Sequence, residues 1–227
     1  MFRRKLAILC LVALSVLAVN GVASAGIINP CVSTWWVEGT PNAVTGAYPL
    51  FICPLGDTDS FEDQGWMIVV LVLDITGTGI ANVPPTDFYI VECGTPTTYP
   101  WNDCNLGSAS SNADSLTNSS GQTTMSNTGL VGGGCAQGWA VVVQNYTIED
   151  SLTNCQTPLC DTDIWMSSPD QNGDGIVELA DLSIFATRYP PNGYHICADY
   201  DANNVVDLSD LSRFAFHYVP GTEHQCI

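Results

Sequence analysis

Two copies of one pattern near the end of the chain constrain its fold more than any other feature. The first reads DQNGDGIVELADLSIFATRY, from Asp170 to Tyr189. The second reads DYDANNVVDLSDLSRFAFHY, from Asp199 to Tyr218, 29 residues further on. Nine of the twenty aligned positions are identical. Each copy sets oxygen-bearing side chains at the first, third, fifth, ninth and twelfth places of a loop. Each then enters a stretch of helical period: Leu182, Phe185, Ala186 and Tyr189 in one copy, Leu211, Phe214, Ala215 and Tyr218 in the other. One apolar stripe per helix predicts that the two helices pack on each other with near two-fold symmetry.

A hard cation takes six to eight oxygens in loose geometry, and a twelve-residue loop with alternating acidic or amide side chains can supply them. In the first loop the predicted ligands are Asp170, Asn172, Asp174, the carbonyl of Ile176, Glu178 and Asp181. In the second they are Asp199, Asp201, Asn203, the carbonyl of Val205, Asp207 and Asp210. The sixth place needs a positive φ, which Gly175 supplies at no cost and Asn204 at little. Two calcium ions are therefore expected. Zinc is disfavoured, since the ligand set lacks paired His or Cys.

An EF-hand ends in a bidentate Glu and has a helix on both sides of its loop. Here both last ligands are Asp, and no helical pattern precedes either loop. With the 29-residue spacing and the Asp-Leu-Ser that ends each loop, this resembles the dockerin family, whose modules are two half-hands of loop plus helix. The resemblance covers about Pro169 to Tyr218. It implies a small all-α module that docks onto a cohesin or another β-sandwich protein. It also implies contacts at the helix starts, here Leu179-Ala180 and Leu208-Ser209. The Ser-Thr pair of cellulosomal dockerins is absent. Ile184, Arg188, Arg213, Phe216 and His217 are expected at the surface. Pro190-Pro191-Asn192-Gly193 and Pro220-Gly221 are expected to stop the two helices.

From Gly26 to about Asp150 the pattern changes to β. Apolar runs rich in β-branched residues alternate with clusters of Gly, Asn, Ser, Thr and Pro. Trp66–Asp74 predicts a buried central strand, and Phe88–Glu92, Trp139–Ile148 and Trp35–Val37 predict three more. Gly107–Gly134 reads as hairpins and loops. Leu73-Asp74-Ile75-Thr76-Gly77 and Thr117-Asn118-Ser119-Ser120-Gly121-Gln122-Thr123-Thr124 resemble turn motifs of bacterial immunoglobulin-like surface domains. The resemblance implies a β-sandwich. The expected class is thus mainly β, an immunoglobulin-like sandwich over 26–150 and a dockerin-like module over 169–227, joined by a polar linker over 151–168.

The first 25 residues read as a secretory signal: Arg3, Arg4 and Lys5, an apolar run to Val19, and Ala23-Ser24-Ala25. The apolar run is short for a membrane span, so the mature form is expected to carry none. Beyond it all 23 acidic residues remain, but only Arg188 and Arg213 as cations. Such a surface repels nucleic acid. Nine cysteines follow the leader, which predicts disulfides and one thiol left over. Spacing does not fix their pairing. The expected set is Cys31–Cys53, Cys104–Cys135, Cys155–Cys160 and Cys197–Cys226, with Cys93 over.

No motif for a nucleophile, a zinc protease or a phosphate loop occurs. His195, His217 and His224 all lie in the repeat region and read as packing or surface residues. The acidic loop Asp57–Asp63 holds the carboxylates a glycosidase would need, Asp59 and Glu62 among them, but reads better as a solvated loop. The expectation is a secreted or cell-surface, non-catalytic adhesion or assembly protein, docking to a partner or to itself. A carbohydrate-binding module with a glycan ligand is the first alternative, and a small hydrolase the second.

Overall fold

The computed structural model describes residues 26–53, 59–92, 101–103, 112–126, 132–149 and 157–218. The expected leader, Cys93, Cys104, Cys155, Cys226, His224 and the Pro220-Gly221 stop lie outside them. The fold is mainly β with two helices. Among the described residues no helix is long and apolar enough to cross a membrane.

The strands are β1 (Thr34–Gly39), β2 (Tyr48–Phe51), β3 (Trp66–Leu71), β4 (Phe88–Glu92), β5 (Trp101–Asp103), β6 (Gln122–Met125), β7 (Gly132–Val143), β8 (Tyr146–Thr147) and β9 (Asp161–Ser167). One antiparallel sheet has the order β1-β3-β6. The other has the order β2-β9-β7-β4, with β5 and β8 also paired to β7. β2 and β9 run parallel and the other pairs of this sheet antiparallel. One core draws side chains from both sheets: Trp35, Ile68, Val70 and Met125 from the first, Leu50, Ile90, Val141 and Ile164 from the second. The Trp66 indole N–H ties them, donating to the Pro49 carbonyl at 3.0 Å.

The predicted strands at Trp35, Trp66 and Phe88 form where β-branched and aromatic residues are densest. The predicted strand Trp139–Ile148 differs. It begins earlier, at Gly132, inside the stretch read as loops, and folds back at Gln144 and Asn145, whose φ values are 50° and 67°. Val143 then faces Tyr146, so these two residues make the tight hairpin turn. The two turn motifs pack against each other. Asp74 Oδ1 accepts from Thr76 N and Thr78 N, and Asn118 Oδ1 from Ser120 N and Gln122 N. A Cβ on Gly121 would strike the Val72 carbonyl and Gly79, so this crossing admits only glycine.

Two strands escaped the sequence reading. β2 is short and holds Pro49, which an edge strand tolerates because its N–H has no partner to lose. β9 lies inside the stretch expected as a polar linker, and pairs with β2 on one side and β7 on the other. Its Ile164 and Met166 enter the main core, while Trp165 packs on the opposite face beside Ala47, Cys135 and Cys197. The chain thus passes from a central strand straight into the first acidic loop.

Helices α1 (Leu179–Arg188) and α2 (Leu208–His217) follow the two loops. Their core holds Val177, Phe185, Ala198, Tyr200, Val206 and Phe214 from the repeat, and also Phe51 and Cys53 from the end of β2. Phe185 and Phe214, equivalent in the two copies, stack at 5.8 Å. Gln171 and Tyr200, also equivalent, join by a 2.7 Å hydrogen bond from Gln171 Nε2 to the Tyr200 hydroxyl. The expected stripe is rotated. Ala186 and Ala215 are exposed, whereas Arg188 and His217 are buried. Arg188 donates to Gln171 Oε1. His217 is inside because α2 also meets the β2 end, at Phe51 and Cys53. Phe216 is exposed as expected, Ile184 is half-buried, and Arg213 pairs with Asp59 at 2.8 Å.

The cysteines also depart from the expected set. Cys135 is bonded to Cys197, with Cα atoms 5.7 Å apart, which overturns Cys104–Cys135 and Cys197–Cys226. Cys53 is in no disulfide, which overturns Cys31–Cys53. Cys31 and Cys160 are each disulfide-bonded. The Cys135–Cys197 bridge joins β7 to the turn before the second loop, a link that sequence spacing could not suggest.

Candidate metal centre

Each loop is organised by its first and last aspartates, which point inward and gather backbone amides. Asp170 accepts from Gly173 N, Asp174 N and Gly175 N at 2.8 to 3.2 Å. Asp199 accepts from Asn203 N and Asn204 N at 3.1 and 3.0 Å. Asp181 accepts from Asn172 N and Glu178 N at 3.0 and 2.8 Å. Asp210 accepts from Tyr200 N, Asp201 N and Asp207 N at 2.6 to 3.3 Å. The last aspartate therefore bonds the amides of places three and nine in both loops. That bond also closes the capping boxes Glu178/Asp181 and Asp207/Asp210.

The turns follow the expected backbone. Gly175 has φ 87° and Asn204 φ 73°. The fourth place is also left-handed, at Gly173 (φ 72°) and Ala202 (φ 56°). Ala202 carries no signal of this, because alanine rarely adopts that region. The third and fifth places pair by their side chains. Asn172 Nδ2 donates to Asp174 Oδ2 at 2.8 Å, and Asn203 Nδ2 to Asp201 Oδ2 at 3.0 Å. At the seventh place, Ile176 N and Val205 N bond back to the fifth residue, Asp174 and Asn203. Glu178 and Asp207 stand at the helix N-caps.

Burial sets the electrostatics. Asp170, Asp181, Asp199 and Asp210 are all buried. Loss of water pushes the Asp170 carboxyl up to about 7 and that of Asp210 up to about 6, against the pull of their amide hydrogen bonds. Asp181 and Asp199 are raised by the same cause. Asp207, half-buried at the rim, is lowered by its bonds to Ser209. Carboxylates crowded and buried in this way favour a cation over the protons they would otherwise take. The donors are all oxygens, which fits a hard divalent ion. In the second loop one oxygen from each of Asp199, Asp201 and Asp210 lies within 4.8 Å of the others. No such acidic trio occurs in the first loop among the described residues, because its third place is the amide Asn172.

Sequence reading missed three participants. The Tyr194 hydroxyl donates to Asp199 Oδ2 at 2.7 Å and accepts from Asn42 Nδ2 at 2.8 Å, across 152 residues. Ser209 Oγ bridges Asp201 and Asp207 at 2.6 and 2.7 Å. The Arg188–Gln171–Tyr200 cluster sits between the loops on the pseudo-dyad. Only Ser209 left a trace, as a polar residue in the first turn of a helix.

The helix-start pairs expected to make contacts, Leu179-Ala180 and Leu208-Ser209, are all exposed, the two leucines at 66% and 69%. Of the histidines described, His217 is buried and His195 half-buried. Burial and the nearby Arg188 charge push His195 down to about 4. His217 Nδ1 lies 3.2 Å from Cys53 Sγ. Of the acidic loop carboxylates, Asp59 bonds Arg213 and Gln64, and Asp63 bonds Ser60. No family model, curated protein or solved structure matches this chain.

Proposed function

We propose that this is a secreted, non-catalytic protein that binds two calcium ions through Asp170–Tyr218 and docks onto a partner through the same repeat. The observation that carries the reading is the shared wiring of the two loops. Buried aspartates at places one and twelve, left-handed residues at places four and six and a helix that starts at place ten recur in both copies. The twelve residues named from sequence would hold the two ions, Ile176 and Val205 through their carbonyls. With no helix pair to open, calcium is a constant structural part of the protein. These features are consistent with a dockerin-like module, and a core shared by two sheets is consistent with an immunoglobulin-like sandwich beneath it.

The exposed Leu179 and Leu208 support docking by the helix starts. The partner class is a cohesin-like or other β-sandwich protein, with self-assembly as the other form. Native mass spectrometry in calcium is expected to show two ions per chain, falling to one in Asp199→Asn. Finding none, or equal retention of magnesium and calcium, defeats the metal reading. Calcium-dependent capture of a secreted partner, lost in Leu179→Asp/Leu208→Asp with both ions retained, tests the docking reading separately.

A further inference from the structure

A cleft of about 510 Å³ lies where the edges of the two sheets meet. Trp35 and Trp36 of β1, Tyr48 of β2, and Asp161, Thr162 and Asp163 at the start of β9 line it. Trp36 is 37% exposed, and Val37 and Leu159 are the aliphatic residues beside it in the lining. Both indole N–H groups are already spent: Trp35 on the Leu159 carbonyl at 3.1 Å, Trp36 on Glu38 Oε1 at 3.0 Å. The polar side chains left are two carboxylates and two hydroxyls. Asp161 is half-buried, and its Oδ1 is fixed by a 2.8 Å hydrogen bond from Asp163 N. Burial raises its carboxyl, so its charge is poorly solvated.

Among the described residues no arginine, lysine or histidine lines this cleft, and none is free to be lent to it. Beyond residue 5 the chain contains no lysine, Arg188 is buried, and Arg213 is paired with Asp59. An occupant has to bring donors for a wall of acceptors and tolerate aromatic rings. An apolar ligand would strip water from two carboxylates at a high cost. A neutral saccharide would leave the negative charge uncompensated. A cationic ammonium group meets both demands, since aromatic rings attract it and carboxylates neutralise it. We propose that the Trp36/Tyr48/Asp161/Asp163 cleft binds an organic ammonium ion, presented by a free amine or by a lysine side chain of a peptide. This site is separate from the two loops and does not rest on the calcium reading.

Isothermal titration of the calcium-saturated full chain tests it, with tetramethylammonium, Nα-acetyl-lysine amide, the peptide Gly-Lys-Gly and cellobiose as probes. The cations are expected to bind, more weakly as salt is raised, and cellobiose not to bind. Tighter binding of the peptide than of the amide assigns a protein source, and equal binding a free amine. Trp36→Ala is expected to weaken the cations about tenfold, and Asp163→Asn to weaken them while flattening the salt dependence. Both side chains are partly or fully exposed, and Trp36→Phe, which keeps a ring, should retain most of the affinity. Heat from cellobiose alone, no heat from any cation, or binding unchanged in Trp36→Ala overturns the proposal.

Discussion

The two acidic loops share a backbone design but are held by different means. The first is fixed by main chain and shape. Gly134 N donates to the Asp170 carbonyl at 2.5 Å, and Gly133 leaves the space that the Asp170 carboxylate fills. The second is fixed by side chains and a covalent bond. Tyr194 and Asn42 hold Asp199, Val44 N donates to Asn204 Oδ1 at 3.2 Å, and Cys197 is tied to Cys135. Duplication explains what the loops have in common. The β scaffold, which is not duplicated, explains what differs. A repeat placed on an asymmetric platform cannot keep two equal sites, and the inequality should be measurable.

The largest effect expected is that of calcium removal. A ligand present at a thousand times its dissociation constant stabilises by about 4 kcal/mol per site. The metal-free protein should therefore melt at a much lower temperature, and the loss should depend on pH. Asp170 and Asp210 have folded values raised from the ordinary 3.8 to about 7 and about 6. A raised carboxyl stabilises fully below the unfolded value and loses that contribution as pH rises through the folded one. In chelator, stability should thus fall between about pH 4 and pH 7. In saturating calcium it should rise over the same window, because protons no longer compete for the ligands. Parallel melting curves with and without chelator would rule out these carboxylates as the ligands.

Gly133→Ala separates the two loops next. A Cβ there would overlap the Asp170 carboxylate, and β7 cannot retreat because it is central to its sheet. The expected cost is about 1–3 kcal/mol, as for other overpacked sites. Calcium titration should show the first site lost or weakened and the second intact. Loss of both sites together would mean that the pseudo-dyad, through Gln171–Tyr200 and Phe185–Phe214, couples them more strongly than the scaffold separates them.

What the sequence made legible follows the range of the interactions involved. The left-handed sixth place and the helix that leaves each loop depend on residues a few positions apart, and both are present. Strands β3 and β4 were readable from dense β-branched runs. β2 and β9 were not, since a proline in one and acids in the other hide short strands that only a long-range pairing stabilises. Arg188 and His217 were expected outside because charge was read on the helix alone. Both are inside because each meets a group that the helix's own periodicity does not reveal, Gln171 for Arg188 and the β2 end for His217. The Cys135–Cys197 bridge and the Tyr194–Asp199 bond depend on chain segments brought together only by the fold.

Tyr194→Phe should give the smallest and most selective effect. The substitution keeps the ring and deletes the hydroxyl that donates to Asp199 Oδ2. The hydroxyl also accepts from Asn42 Nδ2; each hydrogen bond contributes about 1 kcal/mol to stability, so the melting temperature should drop modestly. The informative change is in calcium binding. The hydroxyl lowers the Asp199 carboxyl against the burial that raises it. Without it Asp199 holds its proton to higher pH, and a metal must displace that proton to bind. The second site should weaken by about tenfold or less, most at acidic pH, while the first, which has no such tyrosine, keeps its affinity. A two-site titration at pH 6 and pH 8 reads this directly. An equal loss at both sites would show that Tyr194 supports the whole repeat, and no loss at either would show that Asp199 is not a ligand.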